Sequence, residues 1–307
     1  MSAIGRFLIF TVFLVALSAG PTWAGAWAQE KRDFFLKIGS SYFATTKEFN
    51  HRGNRLRILE EQTAFKDASF RDANVNLYLE YGLTETLTAV ATLPFKGLRA
   101  ERDILFSGGI EVNREVVNTI GFGDVTLSTR RELGTQPLAL SIQAGIKLPL
   151  WYNKRPSNDG PPLGTTEIDG EIHLLAGRSL SSLPAYVTGS FGYRRRGGRL
   201  HDELIYSLEA GYTMGPVLVK IGLDGVHNRS TPPDIFGHTV VTPLPGGGGV
   251  LPELVVGDQH FTKLGPGVNY SLSASTAVQA ELLQVLAGTN TLSGTTFSVG
   301  LILTGTR

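Results

Sequence analysis

The stretch TEIDGEIHLLAG, residues 166–177, carries Glu167, Asp169, Glu171 and His173 at every second position. Three carboxylates and an imidazole are the donor set of a divalent cation or of a proton relay. Ile168, Gly170, Ile172 and Leu174 alternate with them. A period of two puts the four polar side chains on one face of a β-strand and the apolar set on the other. Same-face neighbours on one strand lie about 7 Å apart, too far for a compact metal site unless neighbouring strands contribute. The expected role is therefore a wet strand face, with no metal, cofactor or catalytic residue assigned to it.

Other chemistry-bearing motifs reduce in the same way. GFGD at 121–124 has the letters of a membrane aspartyl protease motif, but no membrane helix is present to hold a second aspartate; glycines that allow close strand approach, with Asp124 facing inward, fit better. GPGVNY (265–270) and GGGG (246–249) do not lie between a strand and a helix and lack a following Gly-Lys-Ser/Thr, so they are not phosphate loops. RRRGGR at 194–199 supplies Arg194, Arg195, Arg196 and Arg199, a basic cluster suited to lipopolysaccharide phosphates at an outer rim. His201, His227, His238 and His260 fall in connecting segments, and no zinc site is expected of them. No Ser–His pair shares an outer face at a spacing that would make a surface hydrolase.

The elements that position these residues follow from the whole chain. It has 307 residues, no cysteine and 37 glycines. Arg6 precedes an apolar run of about 14 residues and small residues around Ala24, the form of a secretory signal. Cleavage is expected after Ala24, with Ala28 as the second choice, giving a leader of 1–24 and one domain of 25–307. Losing Arg6 takes the basic residues from 28 to 27, against 27 acidic, so the mature chain has no basic excess to hold nucleic acid. Without cysteine, neither disulfides nor thiolate metal sites arise.

Alternating segments of about ten residues recur at 33–44, 74–82, 86–95, 120–131, 138–150, 167–177, 185–195, 204–213, 217–226, 260–272, 277–288 and 295–305. One face collects Val75, Leu77, Leu79, Leu140, Ile142, Val219, Ile221, Val299 and Leu301. The other collects Lys37, Glu80, Asp124, Arg130, Lys147, Glu209, Lys220, Asp224, Lys263 and Glu281, together with the 167–173 row. Short turns alternate with long loops near 45–70, 97–118, 151–165, 196–203 and 227–258. That pattern predicts an all-β fold, a transmembrane antiparallel up-and-down barrel of about twelve strands in the outer membrane of a Gram-negative bacterium. Phe95, Trp151, Tyr152, Tyr193, Tyr212 and Tyr270 sit near strand ends, where an interfacial girdle would lie. A soluble sandwich, with the apolar face inside, is the competing architecture. The polar face of a barrel lines the lumen, and the expected partners are lipid bilayer, lipopolysaccharide, the barrel-assembly machinery and a small-molecule solute. The final strand ends LILTGTR, without the terminal aromatic usual for such barrels.

Several stretches together carry a family resemblance: NVNLYLEYGLTETLT with LPFKGLRAE (74–100), GFGDVTLSTRREL (121–133), and PLGTTEIDGEIHLLAGRSL with PAYV, GYRRRGG and DE (162–203). They resemble the outer-membrane family known as MetA-pathway of phenol degradation, transporter-like and including XagA-like members. The resemblance implies a porin-like barrel for uptake of an aromatic or otherwise hydrophobic compound, and implies no particular functional residues. The expected function is passive diffusion through a charged lumen. The alternatives are a closed barrel acting through its loops as an adhesin or structural protein and, further off, an outer-membrane hydrolase.

Overall fold

The computed structural model describes residues 25–62, 65–106, 110–152, 160–180, 182–198, 200–229, 242–243, 250–251 and 259–305. The expected leader, Arg199 and His238 lie outside the described residues. In chain order the strands are β1 (Phe34–Thr45), β2 (Lys47–Phe49), β3 (Arg55–Arg57), β4 (Phe65–Gly82), β5 (Leu87–Phe106), β6 (Ile110–Phe122), β7 (Val125–Gly134), β8 (Ala139–Leu148) and β9 (Asp169–Leu180). There follow β10 (Ala185–Arg195), β11 (Glu203–Met214), β12 (Val217–Asn228), β13 (Thr242–Pro243), β14 (Val250–Leu251), β15 (His260–Ser271), β16 (Thr276–Thr289), β17 (Thr291–Ser293) and β18 (Thr295–Gly305).

The main sheet runs β4-β1-β18-β16-β15-β12-β11-β10-β9-β8-β7-β5, and β4 pairs with β5 to close it. The result is a closed antiparallel barrel of twelve strands, as the twelve alternating segments predict. Closure pairs the backbone of every barrel strand, which a lipid environment demands. Tight turns close one end, as at Gly82–Leu87, Met214–Val217 and Ser271–Thr276; the long connections all leave the other end.

The distribution of burial is inverted relative to a soluble protein. The largest fully buried side chains are Glu80, Asn228, Thr88, Asp169, Ser141 and Ser293. Leu77, Leu127, Ile142, Ile172, Leu174, Val219, Ile221, Leu282 and Val299 are exposed around the outside. An apolar belt of this extent is stable only against another apolar phase, and it rules out the sandwich. Tyr81, Tyr212 and Tyr270 are exposed at the tight-turn end, and Tyr42, Phe95, Phe122, Trp151 and Phe297 at the other. Phe122 packs edge-on to Phe95 at 5.2 Å and to Trp151 at 5.5 Å. These are the two interfacial girdles. Tyr152 departs from the expected girdle: its hydroxyl turns inward and donates to Asp124.

One region differs from the sequence expectation. The segment 97–118, read as a loop, is instead strand: β5 continues to Phe106 and returns as β6. Together with the start of β4 it makes a tall ribbon beyond the barrel rim. Here β5 faces β7 up to Thr92↔Thr126 and β6 from Phe95↔Phe122, so one extra residue is accommodated around Gly123–Asp124. The descending strand is therefore a single run interrupted by a bulge, and GFGD is that bulge.

Charge holds the ribbon together. Glu101 accepts from Arg99 Nε at 2.6 Å and Arg114 Nη2 at 2.8 Å, with Arg71 at 3.8 Å. The hydrogen bonds from Arg114 and Arg99 hold its carboxyl down at about 2. A depressed carboxyl contributes stability above its unfolded pKa and loses it as pH falls through the folded value. The protection of amides in 97–104, measured against their intrinsic exchange rates at each pH, is therefore expected to be unchanged from neutral pH down to the ordinary carboxylate range near 4.5, then to fall toward pH 2. A loss of protection that is complete above the ordinary carboxylate range would show that the arginines do not hold Glu101 in this way.

Candidate functional site: the barrel interior

Inward-facing residues come from alternate positions of every barrel strand, and their charges fall into three groups. The first lies at the tight-turn end. Arg130 of β7 donates to Glu80 of β4 at 2.7 Å, and both are buried, 3% and 0% exposed. Tyr78 also donates to Glu80, and Gln143 accepts from Arg130 at 3.1 Å.

The second group lies across the barrel, on β1, β11, β12 and β16. Lys220 meets Glu281 at 2.5 Å and Glu209 at 2.8 Å, while Lys37 stands 3.8 Å from Glu281. Tyr186 donates to Glu209. Gly211 lets the Tyr186 ring lie down on the wall, since a Cβ there would stand 2.3 Å from it.

The third group sits toward the long-loop end and contains most of the acidic row that the sequence singles out. Lys147 bonds Asp169 at 2.6 Å and Asp124 at 3.1 Å. Arg196 reaches Asp169 at 3.0 Å and also Glu203; Arg194 joins Glu203 at 3.0 Å and Glu171 at 2.9 Å. His173 Nε2 is 3.7 Å from Glu171. Asp224 and Lys263 are register partners on β12 and β15, and Lys263 Nζ lies 4.7 Å over the Phe261 ring.

The sequence and structure agree on alternation and diverge on two details. Glu167 lies ahead of β9, against Gly197 and Gly198, rather than in line with Asp169 on the strand. The arginine cluster is split: Arg194 and Arg196 are drawn inward by Glu171, Asp169 and Glu203, leaving Arg195 exposed. A surface cluster for lipopolysaccharide does not form from Arg194 and Arg196, because buried carboxylates neutralise them at shorter range. His227 and His260 do meet, Nδ1 to Nδ1 at 3.1 Å, across β12 and β15. Among the described residues no three metal-ligating side chains cluster.

Two cavities open inside the barrel, of about 390 and 560 Å³. The larger reaches the β15–β16 turn through Asn269, Ser271 and Gln279; the smaller extends toward His173 and Arg194. Tyr78, Ser207, Glu209, Lys220, Asp224 and Glu281 line both. Beside β5, β7, β8 and β9 the tight-turn end of the interior is filled by something the strand pattern does not reveal: residues 25–33. Ala26 is completely buried there, against Ala139, Leu175 and Trp27.

A closed twelve-strand barrel, apolar outside and charged within, is the architecture of an outer-membrane β-barrel. No protein-family model matches the chain, and no curated protein matches it in sequence. Among solved structures, the COG4313 outer membrane channel from Pseudomonas putida F1 superposes with a TM-score of 0.63 at 15% identity, over 93% of this chain and 100% of that one. The Ralstonia pickettii toluene transporter TbuX gives 0.45 at 9% identity, over 91% and 90%. The CymD monoaromatic hydrocarbon channel gives 0.43 at 11%, over 91% and 89%. The first of these shows the shared barrel fold.

Proposed function

We propose that the protein is a passive channel of the Gram-negative outer membrane, passing a small solute through a charged, off-centre lumen. The observation that carries this is that the two cavities share Lys220, Glu209 and Glu281 in their walls, so that open space runs from the β15–β16 turn toward His173 and Arg194. Apart from the apolar cluster around Ala26, Ala139 and Leu175, the inner face is mostly polar and charged, which suits a hydrated lumen. Within this reading the lumen-lining set is the one drawn from the sequence, with Glu167 moved to the mouth. The likeness in fold to the Pseudomonas putida channel supports a channel, and the resemblance to the phenol-degradation outer-membrane family points to a small aromatic or otherwise hydrophobic solute. The charged lining favours one with a polar edge, since an apolar molecule gains nothing from displacing water from Lys220 or Glu281.

Mechanistically, the paired charges on β11, β12 and β16 form the passage that a permeating molecule must skirt. A unit charge 4 Å away is worth about 1 kcal/mol in water, about five-fold in partition, so single neutralisations are readable. Lys220→Gln is expected to shift ion selectivity toward cations by up to that factor, and Glu281→Gln toward anions. The check is the reversal potential across a planar bilayer in a salt gradient. Discrete current steps with opposite shifts for the two variants support the channel; a folded protein that gives no steps ends this reading.

A further inference from the structure

The segment between the expected signal cleavage and β1 is threaded into the barrel and bonded along its whole length. Ser141 Oγ donates to the Ala26 carbonyl, and Arg130 Nη1 to the Trp27 carbonyl at 3.3 Å. The Ala28 N–H donates to Glu132 at 3.1 Å, and the Gln29 N–H to Thr88 Oγ1 at 2.9 Å. Gln29 Nε2 donates to Glu80 at 2.8 Å. The chain then leaves along the β4–β5 turn, where the Arg32 N–H bonds Gly82 O at 2.8 Å and the Gly82 N–H bonds Asp33 O at 2.9 Å. Wall and segment are fitted to each other. The Trp27 ring lies over Gly177, where a Cβ would come within 2.8 Å of it. Gly25 lines the 390 Å³ cavity with Glu171, His173, Thr188 and Glu209.

Two cleavage positions compete in the sequence, and these contacts separate them. A cut after Ala28 would delete the acceptor of Ser141 and one acceptor of Arg130 and would strip Trp27 from Gly177. A cut after Ala24 keeps every one of these bonds. We infer that signal cleavage falls between Ala24 and Gly25, and that the α-ammonium it creates resides inside the barrel, on the wall of the lumen cavity. Hydrolysis adds one water across the Ala24–Gly25 amide, leaving a carboxylate on the departing leader and an amine on Gly25. An α-amine in water is chiefly protonated at neutral pH. Glu171 and Glu209 line the same cavity as Gly25, together with the cations Arg130, Arg194 and Lys220. Maturation thus adds a fixed cation to the lumen that no side chain encodes.

Any influence of this charge on permeation rests on the channel reading; its location does not. The test uses protein purified from outer membranes of producing cells. Intact mass and N-terminal peptide mapping should show a chain beginning at Gly25. Reductive methylation at mildly acidic pH, which favours α-amines, should modify that terminus on the order of ten-fold more slowly in the folded barrel than in urea-unfolded protein. A mature chain beginning at Gln29, or a terminus that reacts equally fast in both states, would overturn the inference. A protected Gly25 terminus on a barrel that never conducts would uphold it while sinking the channel.

Discussion

A barrel refolded without residues 25–29 is expected to conduct severalfold more current than one that begins at Gly25. Barrels of eight strands are filled by their own side chains and those of sixteen or more enclose a channel, so at twelve strands the outcome depends on what occupies the lumen. Here the occupant of the tight-turn end beside β5, β7, β8 and β9 is Ala26, Trp27 and Gln29, and removing them widens the lumen there. The barrel should survive the loss. Thr88 and Ser141 regain water in a hydrated lumen, and Arg130 keeps its 2.7 Å bond to Glu80. Trp27→Ala should give part of the increase, because the ring over Gly177 is the bulkiest part of the segment. The measurement is single-channel conductance in symmetric salt, with heat-modifiable electrophoretic mobility as the control for folding. An unchanged step size from a folded protein would mean that the narrowest point lies elsewhere, among Lys147, Asp169, Arg194 and Arg196.

The twelve strands and their inside and outside faces were legible because a period of two is imposed by lipid on one side and water on the other. A residue such as Ile142 or Lys147 has no freedom to exchange faces without placing charge in hydrocarbon. Beyond the rim that constraint ends. The ribbon of β5 and β6 lies outside the bilayer, with Ile104 covered by Ile58, Leu59 and Phe65, residues distant in sequence; Arg99, Glu101, Arg114 and Glu115 show charge where a loop would show it too, and strand could not be told from loop. Arg194 and Arg196 read as a surface cluster because their neutralising partners, Glu171, Asp169 and Glu203, are distant in sequence or across a turn. The segment 25–33 is nine residues without periodicity; its only signal is position, between a cleavage site and the first strand. Its place in the lumen is set by partners such as Ser141, Arg130 and Glu80, far along the chain.

The pair Glu80–Arg130 bears the largest stability effect. Arg130→Ala is expected to destabilise the barrel by about 3–5 kcal/mol, the cost of leaving one member of a buried ion pair without the other. Glu80 is fully enclosed, so in the variant its charge keeps only the hydrogen bonds from Tyr78 and from Gln29 Nε2 at 2.8 Å. The Trp27 carbonyl loses its donor in the same step, which loosens the inserted segment. Lys37 and Glu281 provide the internal comparison. They are 3.8 Å apart and 33% and 19% exposed, in the regime where removing a partner changes stability by about 0–1 kcal/mol. Urea unfolding in lipid vesicles, followed by tryptophan emission, should therefore separate Arg130→Ala from Lys37→Ala by several kcal/mol. In the double variant Glu80→Gln with Arg130→Ala, the loss should be smaller than in Arg130→Ala alone, because no unpaired charge is left inside. Equal losses in the single and double variants would mean that the cavity left by the arginine side chain, rather than the stranded carboxylate, sets the cost.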